Sequence, residues 1–504
     1  MTPIKNINRR KFIGAAVATT ATISIVPRHV LGGKGFVAPS DKITVANIGC
    51  GTQGLREMPD MLQNEEMQVV AVCDVNKSTT DYLDWSANGI RNGIRRTLGD
   101  DAWGANINGI PGGRDIGKEY VEKFYAKNAA SGSYKGCGSY EDYGELLAKE
   151  KDVDAVKIMT PDHTHAQIAI DSLNAGKHVI THKPIANRMM EARKVIDLAK
   201  QKNLVTHLQA WSTRDDQIQM VKWLREGAIG ELKEIHNWSF RPVWPQWTSL
   251  PSDRPKIPDG FNWELWLGPV PDRPFHPNFT HNVFRGWYDF GGGSMADMGH
   301  YSLFPLFRNL GIEVPAISAK AYGTTNKTVV DQVCQGINND VAFPYSCQFK
   351  LSFPAHGKLP KFDLFWYDGG MKPFAPPELE EDGLDVASEG LMLVGDKGKI
   401  LGGFLGENPR LLPEKRMKEV HGDKEVPKAP RERRTDMWAK AIRSGAQTPG
   451  SFQYAGPITE TINLAAVALR AGKKVAYDSA AMKITNDERA NKFLTREYRP
   501  GWEM

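Results

Sequence analysis

The sequence predicts an α/β protein that begins with a doubly wound parallel sheet. Three observations support this fold class. A strand runs into a glycine-rich loop and a helix, a second strand ends in an acidic residue, and strand–helix–strand alternation returns over 153–184. Such alternation is typical of parallel sheets covered by helices. Because 504 residues exceed one ordinary hydrophobic core, we also expect two domains.

The first strand, "ITVANI", leads directly into "GCGTQG", a G-x-G-x-x-G motif. Gly49 permits the tight turn, Gly51 lets the backbone approach a pyrophosphate, and Gly54 lets helix and strand pack closely. The helix N-terminus that follows offers unpaired N–H groups to an anion. The motif predicts a dinucleotide site that also includes Thr52 and Gln53; the alternative is a glycine-rich turn without a ligand.

The second strand, "MQVVAVCDV", ends in Asp74, twenty residues after Gly54. An acidic residue at this distance can accept hydrogen bonds from the ribose diol of a dinucleotide, and it would repel a 2′-phosphate. The expected cofactor is therefore NAD rather than NADP. Residues 80–138 follow as an insertion that we expect to be irregular.

Two further strands of the alternating region end in candidate site residues. "DAVKIMT" ends at Thr160 and Pro161, His165 falls in the first turn of the next helix, and "HVIT" delivers Lys183 ahead of Pro184. Ligands of doubly wound sheets lie outside the carboxyl ends of the strands. We therefore expect these residues on the cofactor side of the sheet, with His165 as a cofactor contact or a helix cap. An isolated lysine in such a place is otherwise a solvated loop cation.

The N-terminus has the layout of an export signal. Arg9 and Arg10 precede "KFI" and a modest apolar run, which is the twin-arginine form of a signal peptide. The alternatives are a short helix or a membrane anchor, but 14 apolar residues are few for a span that needs about 20. We expect residues 1–35 to be the signal, the protein to be periplasmic or otherwise exported, and no stable membrane anchor.

Composition narrows the classes of partner. The net charge is +5 and no long Lys/Arg block stands out, so nucleic acid is not an expected partner. The five cysteines show no metal-binding spacing, and Cys50 and Cys73 fall in predicted buried positions. His163 and His165 have no Cys or acidic ligand set beside them, so we expect no metal.

Several motifs in the same order resemble the Gfo/Idh/MocA oxidoreductases over about residues 41–500. They are "GCGTQG", "TPDHTHAQIAIDSLNAGKHVITHKP", "LREGAIGELKEIHNW", "WELWLGPVPDRPFHP" and "RGWYDFGGGSMADMGH". The resemblance implies a Rossmann domain (41–185) followed by an α/β domain (186–504) with a large open, mostly antiparallel sheet. It further implies a small-molecule carbohydrate substrate and a homodimer or homotetramer.

The resemblance also implies roles for individual residues. Lys183 matches the lysine of the family's Glu-Lys-Pro motif, which lies beside the nicotinamide and the reacting hydroxyl. Asp297 and His300 match the family's Asp-x-Gly-x-His motif at the substrate. This chain departs twice, because His182 replaces the glutamate and His300 follows Asp297 by three residues instead of four. Residues three and four apart share a helix face, so we still expect His300 to point into the site.

Oxidation of a secondary alcohol needs a hydride acceptor and a base for the hydroxyl proton. We expect His300 as the base, held by Asp297, and Lys183 as the electrostatic stabiliser of the alkoxide. The alternatives are a hydrogen-bonded core histidine and a structural aspartate. Further candidates for the substrate pocket are Arg214, Arg285, Trp287 and Tyr288, although tryptophans in this region can equally be core.

These observations lead to an exported NAD-dependent oxidoreductase of a sugar, polyol or glycoside. We expect a tightly held cofactor, since free NAD is scarce outside the cytoplasm. One alternative is an NAD-dependent glycoside hydrolase that uses transient oxidation and elimination. The other is a sugar-binding protein without turnover, which only the two departures at His182 and His300 support.

Overall fold

The computed structural model describes residues 41–129, 131–381, 383–422 and 432–504. The chain divides into two units, 1–42 and 43–504, and the second contains all of the architecture below. The predicted twin-arginine signal lies outside the described residues. Within the described part, no helix combines the length and apolarity that crossing a membrane requires.

The expected parallel sheet is confirmed, with six strands in the order β3-β2-β1-β4-β5-β6. Every pair of neighbours in it is parallel. The strands are β1 (Ile43–Ile48), β2 (Met67–Cys73), β3 (Gly138–Tyr140), β4 (Ala155–Ile158), β5 (His178–Thr181) and β6 (Thr206–Leu208). The strand β6 lies beyond the boundary expected at residue 185, so the first domain extends at least to Leu208.

Helices cover this sheet because its strands are apolar on both faces. They are α1 (Thr52–Glu57), α2 (Pro59–Leu62), α3 (Gly89–Leu98), α4 (Arg114–Asn128), α5 (Tyr143–Lys149), α6 (His165–Asn174) and α7 (Met189–Lys202). Cys50 and Cys73 are buried beneath them, as expected.

The segment expected to be an irregular insertion contains regular structure. Its helix α3 buries Ile90, Ile94 and Leu98, which are spaced four residues apart and so share one face. The start of the segment, around Tyr82–Trp85, has no helix or strand longer than a single bridge. It is this part that reaches the glycine-rich loop.

The second domain is built on a nine-stranded sheet in the order β15-β14-β13-β7-β12-β11-β8-β16-β17. Its pairs are antiparallel except for β7 with β12, as the mostly antiparallel prediction requires. The strands are β7 (Leu232–Trp238), β8 (Ser318–Gly323), β11 (Cys347–Phe353), β12 (Phe362–Tyr367), β13 (Gly390–Gly395), β14 (Lys399–Gly402), β15 (Arg410–Leu412), β16 (Val475–Asp478) and β17 (Lys483–Ile484); a separate hairpin comprises β9 (Asn326–Val330) and β10 (Val333–Ile337).

The remaining helices all follow β6 in the chain. They are α8 (Asp215–Arg225), α9 (Trp263–Leu267), α10 (His300–Leu310), α11 (Pro377–Glu380), α12 (Glu414–Val420), α13 (Arg434–Ser444) and α14 (Phe452–Ala471). The long helix α14 packs against both α7 and β8. The helix α13 buries Trp438 in the apolar cluster under β1 and β2. A π-helical turn, Met295–Gly299, immediately precedes α10 and carries Asp297.

Candidate active site

A cavity of about 440 Å³ lies at the carboxyl ends of the parallel strands and is lined by residues of both domains. The first domain contributes the glycine-rich loop, Asp74, Thr160, Pro161 and Lys183. The second domain contributes Asp297 and Arg285, among others. The cavity therefore joins the predicted dinucleotide loop to the predicted reaction centre.

The glycine-rich loop has the close packing that its sequence predicts. Gly49 has φ +103°, and a Cβ there would lie 2.6 Å from the backbone carbonyl of Met159. A Cβ on Gly54 would lie 2.1 Å from the carbonyl oxygen of Gly49. Side chains at these positions would displace backbone, so the turn and the packing of helix on strand both require glycine.

Asp74 stands where a ribose diol is expected. Its carboxylate accepts backbone N–H groups from Cys50 (2.6 Å) and Asn76 (2.8 Å), and it lines the cavity. Arg114 is the nearby cation, and its guanidinium donates to Glu141 at 2.9 Å. An anchored carboxylate, with the neighbouring arginine already paired, fits the unphosphorylated ribose of NAD.

A segment of the insertion, Tyr82–Trp85, covers the glycine-rich loop; we call it the strap. The Tyr82 ring lies against Gly51, where a Cβ would be 2.8 Å from it. Thr52 Oγ1 donates to the carbonyl of Leu83 at 2.8 Å, and Arg56 pairs with Asp84. The strap therefore encloses the end of the cavity where the pyrophosphate is expected.

The strap also contacts the second domain. The Tyr82 ring centroid lies 4.2 Å from that of His281, and the Arg241 guanidinium lies 4.8 Å from the Trp85 ring centroid. These contacts span the cavity between the two domains. Sequence reasoning missed the strap, since nothing local in "DYLDW" signals a contact with a loop thirty residues away.

Lys183, Asp297 and Arg285 form the charged centre of the cavity. Lys183 Nζ donates to Asp297 Oδ1 at 2.5 Å, and Arg285 Nε lies 3.2 Å from the same oxygen. Burial lowers the pKa of Lys183, although the Asp297 carboxylate opposes that shift. Burial alone would raise the pKa of Asp297, but Lys183 and Arg285 outweigh it and hold that pKa below its usual value. The carboxylate is therefore ionised at neutral pH and fixes the lysine in the cavity.

His300 does not line the cavity, which corrects its expected place at the substrate. It is fully buried, its Nδ1 lies 2.9 Å from the carbonyl oxygen of Ala296, and burial lowers its pKa to about 3. The reason is the π-helical turn: hydrogen bonds there span five residues, so residues four apart align better than residues three apart. The residue four positions after Asp297 is Tyr301, and Tyr301 lines the cavity.

Tyr301 is hydrogen-bonded to His182, the other departure from the expected motif. The Tyr301 hydroxyl and His182 Nε2 are 2.7 Å apart, and Lys183 Nζ lies 5.0 Å from the centre of the Tyr301 ring. Burial lowers the pKa of His182 well below its usual value, and Lys183 adds to that effect. His182 is thus neutral at pH 7 and lies at the cavity wall beside Lys183.

His165 is a positioning residue and does not line the cavity. Its Nδ1 lies 2.7 Å from the carbonyl oxygen of Pro184, and its Nε2 lies 2.8 Å from that of Thr160. It therefore connects the ends of β4 and β5, which carry Thr160 and Lys183. The prediction placed it correctly in the first turn of α6, but not as a direct contact of the cavity.

Three expected substrate residues lie outside the cavity lining. Trp287 is buried, donates from Nε1 to the carbonyl of Asn278 at 2.7 Å and stacks on Trp247. Tyr288 is buried against Phe343, and Arg214 lies at the start of α8. Trp287 and Tyr288 pack in the protein interior, because a large aromatic ring stabilises the fold more when it is buried than when it is exposed to solvent. Of the four candidates only Arg285 lines the cavity.

Other residues of the cavity carried no clear signal in the sequence. These are Arg241, His281, Asn282, Glu141, Tyr143 and Trp502. They come from segments that are distant in the chain, and only the tertiary fold brings them together. Among the described residues, no group of three or more His, Cys, Asp or Glu side chains is placed to hold a metal ion.

Comparison with protein families gives two matches. Residues 115–210 match "Oxidoreductase family, NAD-binding Rossmann fold", and residues 218–316 and 379–504 match "Oxidoreductase family, C-terminal alpha/beta domain". Together the two matches cover more than half of the chain. Both matched families are oxidoreductase families, in agreement with the site.

Similar curated proteins include two sugar-active enzymes. Levoglucosan dehydrogenase of Pseudarthrobacter phenanthrenivorans is 38% identical over 114 residues, 21% of this chain and 29% of that protein. The alpha-N-acetylgalactosaminidase of Shewanella oneidensis is 26% identical over 244 residues, 45% of this chain and 44% of that protein. The chain thus spans less than half the length of these relatives.

Solved structures share the fold. The WlbA dehydrogenase of Chromobacterium violaceum, in complex with NADH and UDP-GlcNAcA, has a TM-score of 0.52 and 15% identity, over 87% of this chain and 97% of that one. The WlbA dehydrogenase of Bordetella pertussis has a TM-score of 0.50 and 14% identity, over 87% and 99% of the two chains. At these identities the likeness concerns the fold alone.

Proposed function

The chain belongs to the Gfo/Idh/MocA oxidoreductase family, with an NAD-binding Rossmann domain, and we propose from that premise that it oxidises a secondary hydroxyl group of a sugar, polyol or glycoside. The observation that carries the proposal is the cavity itself. It joins the glycine-rich loop and Asp74 to the buried Lys183–Asp297–Arg285 centre.

The charged centre suits a reaction that develops negative charge on an oxygen. The Lys183 ammonium has three hydrogen-bond donors, of which Asp297 takes one, so others remain for the reacting oxygen. Such a preorganised cation stabilises alkoxide character in a site shielded from water. When bound, NAD supplies the two-electron oxidant that accepts a hydride from the carbinol carbon. Asp297 positions Lys183, and Arg285 keeps Asp297 ionised.

Tight retention of the cofactor is part of the proposal. The strap covers the glycine-rich loop through Tyr82, Thr52 and Asp84, and a departing dinucleotide would have to displace these contacts. The twin-arginine motif supports the further proposal that the folded protein, with its cofactor, is exported to the periplasm. Assembly as a homodimer or homotetramer is likewise proposed from the family.

An NAD-dependent glycoside hydrolase is the second candidate. The Shewanella oneidensis alpha-N-acetylgalactosaminidase matches over a longer stretch than the dehydrogenase does, and an enclosed cofactor suits a cycle with no net oxidation. The same Lys183 centre would then promote oxidation, and later reduction, of one sugar. A sugar-binding protein without turnover is less well supported, because the Lys183–Asp297 pair is intact.

Product analysis distinguishes these candidates. Protein purified without added nucleotide is assayed for bound NAD and then incubated with 4-nitrophenyl and methyl glycosides, free hexoses and levoglucosan. Oxidation yields a product two mass units lighter than the substrate, by mass spectrometry, whereas hydrolysis yields the free sugar with NAD unchanged. Binding of a glycoside with no product would support the sugar-binding alternative. Protein that binds no NAD would refute the proposal.

A further inference from the structure

We propose that Trp502 forms one wall of the site for the adenine base of the dinucleotide, and that residues 499–504 act as a clamp that holds its ring there. The inference rests on the NAD-dependent function proposed above and deepens it, because it identifies how the adenine half of the cofactor is recognised. It concerns a residue that no motif of the sequence singled out.

The adenine base is expected beside Asp74. A carboxylate at the end of the second strand binds the ribose that carries the base, so the base occupies the adjoining part of the cavity. That part lies next to β3, because Tyr140 pairs with Cys73 and the Asp74 N–H donates to the carbonyl of Tyr140 at 3.1 Å. The cavity lining continues there through residues 141–143, directly after Tyr140.

The second domain is anchored to this end of the cavity through Asn262, the residue before α9. Its N–H donates to the carbonyl of Val75 at 2.9 Å, and its side-chain amide donates to Glu141 at 2.6 Å. The Asn262 side chain also caps α9 by accepting the N–H of Leu265 at 3.0 Å. The helix α9 therefore lies at the Asp74 end of the cavity.

Arg499 fastens the clamp to α9. Its guanidinium donates to the Glu264 carboxylate at 2.5 Å and to the Glu264 carbonyl at 2.6 Å, and its N–H donates to the carbonyl of Pro269 at 3.2 Å. The Arg499 side chain is 8% exposed, whereas that of Glu264 is 73% exposed. Because solvent weakens an exposed ion pair, the bonds to the two carbonyls are the firmer part of this anchor.

These anchors bring the Trp502 ring to the cavity wall. The Trp502 N–H donates to the carbonyl of Arg499 at 3.0 Å, and the Arg499 guanidinium lies 5.3 Å from the centre of the Trp502 ring. The centre of the Tyr143 ring lies 6.4 Å from that of Trp502, and both rings line the cavity together with Ile168. An aromatic and aliphatic wall beside a ribose-binding carboxylate suits the flat, apolar face of a purine.

Trp502 and Lys183 therefore serve opposite halves of the cofactor. Lys183 lies at the reaction centre with Asp297, whereas the contacts above place Trp502 at the Asp74 end. AMP contains the adenine half alone, and NAD contains both halves. Loss of the Trp502 ring should consequently weaken AMP and NAD by the same factor. A general loosening of the site would weaken NAD more than AMP, since NAD depends on contacts in both halves.

Calorimetric titration with AMP and with NAD tests the proposal, on protein from which bound nucleotide has been removed. We expect Trp502→Ala to weaken both ligands about tenfold, and Trp502→Phe, which keeps a ring, to retain most of the affinity. Arg499→Met leaves Trp502 in place but removes its anchor, so it should also weaken AMP. The control is Tyr322→Ala, which removes a ring that is 57% exposed and lies outside the cavity lining, and its affinities should equal those of wild type.

The melting temperature of each variant is measured beside its affinities. Unchanged affinity of Trp502→Ala for AMP would overturn the adenine site and leave the proposed oxidation intact. A loss for NAD at least about tenfold larger than the loss for AMP would show a loosened site and would also overturn it. Wild type that binds neither AMP nor NAD would overturn the inference and the proposed function together.

Discussion

Replacement of Lys183 by methionine should separate the catalytic role of the lysine from its structural role. Methionine keeps much of the length of the side chain but removes the cation. The Lys183 side chain is 1% exposed and that of Asp297 is 10% exposed, so solvent screens their 2.5 Å contact very little. With an effective dielectric constant of about 20, the gross attraction is about 7 kcal/mol, and that of Arg285 for Asp297 at 3.2 Å is about 5 kcal/mol.

The net effect on stability is smaller than the gross attraction, because folding also desolvates both charges. Loss of one partner of a buried ion pair costs about 3–5 kcal/mol, and the remaining contact with Arg285 places this case at the lower end, about 3 kcal/mol. Lys183→Met combined with Asp297→Asn removes the uncompensated carboxylate and should recover most of that loss. The free energy of unfolding is measured by urea denaturation without added NAD.

Activity should not recover in the double variant. Loss of a preorganised group that stabilises an oxyanion lowers kcat by about 10²–10³-fold, and Asp297→Asn restores no cation. The assay is a single turnover on protein loaded with NAD, with nucleotide content determined for each variant. A kcat for Lys183→Met within about threefold of wild type, at full NAD occupancy, would refute the role given to the lysine.

Three further predictions follow from the geometry. The pKa of Asp297 is lowered in the folded protein, so its contribution to stability is complete above the unfolded carboxyl pKa of about 4 and is lost as pH falls through the lower folded pKa. Urea denaturation should therefore show that the free energies of unfolding of wild type and Asp297→Asn converge as pH falls from 7 to 3. Gly54→Ala would bring a Cβ to 2.1 Å from the carbonyl oxygen of Gly49 and so displace the glycine-rich loop. Calorimetry should then show the affinity for NAD reduced at least about tenfold, and an unchanged affinity would exclude NAD binding at this loop. Thr52→Val removes the hydrogen bond to the carbonyl of Leu83, worth about 1 kcal/mol, so NAD should dissociate about fivefold faster than from wild type. The control is Thr97→Val, because the Thr97 hydroxyl donates to a carbonyl within α3, and its NAD dissociation rate should equal that of wild type.

Local sequence patterns were sufficient for the parallel sheet and for the residues at its edge. The strand "HVIT" is β5, as expected, and Lys183 follows it into the cavity lining. The glycine-rich loop and Asp74 also lie where their spacing predicts. These successes share a cause, since consecutive parallel strands end at the same edge and bring short motifs together without long-range information.

The errors arose where tertiary packing decided the outcome. The expected place of His300 depended on α-helical geometry, whereas the π-helical turn brings Tyr301 to the side of Asp297. Trp287 and Tyr288 are apolar rings with a polar tip, which suits a core as well as a sugar site, and nothing in the local sequence separates the two. The strap depends on contacts between Tyr82 and Gly51 that no periodicity encodes.

The proposed oxidation is tested most directly by the absorbance near 340 nm of NAD-loaded protein after a glycoside is added, since that band reports the reduced nicotinamide. We expect the absorbance of wild type to rise, transiently if the protein hydrolyses the glycoside and lastingly if it oxidises it. We expect no rise in Lys183→Met at equal nucleotide content. A rise of equal size and rate in the variant would contradict the role of the Lys183 centre, and no rise in wild type with any compound of the panel would contradict the oxidation itself.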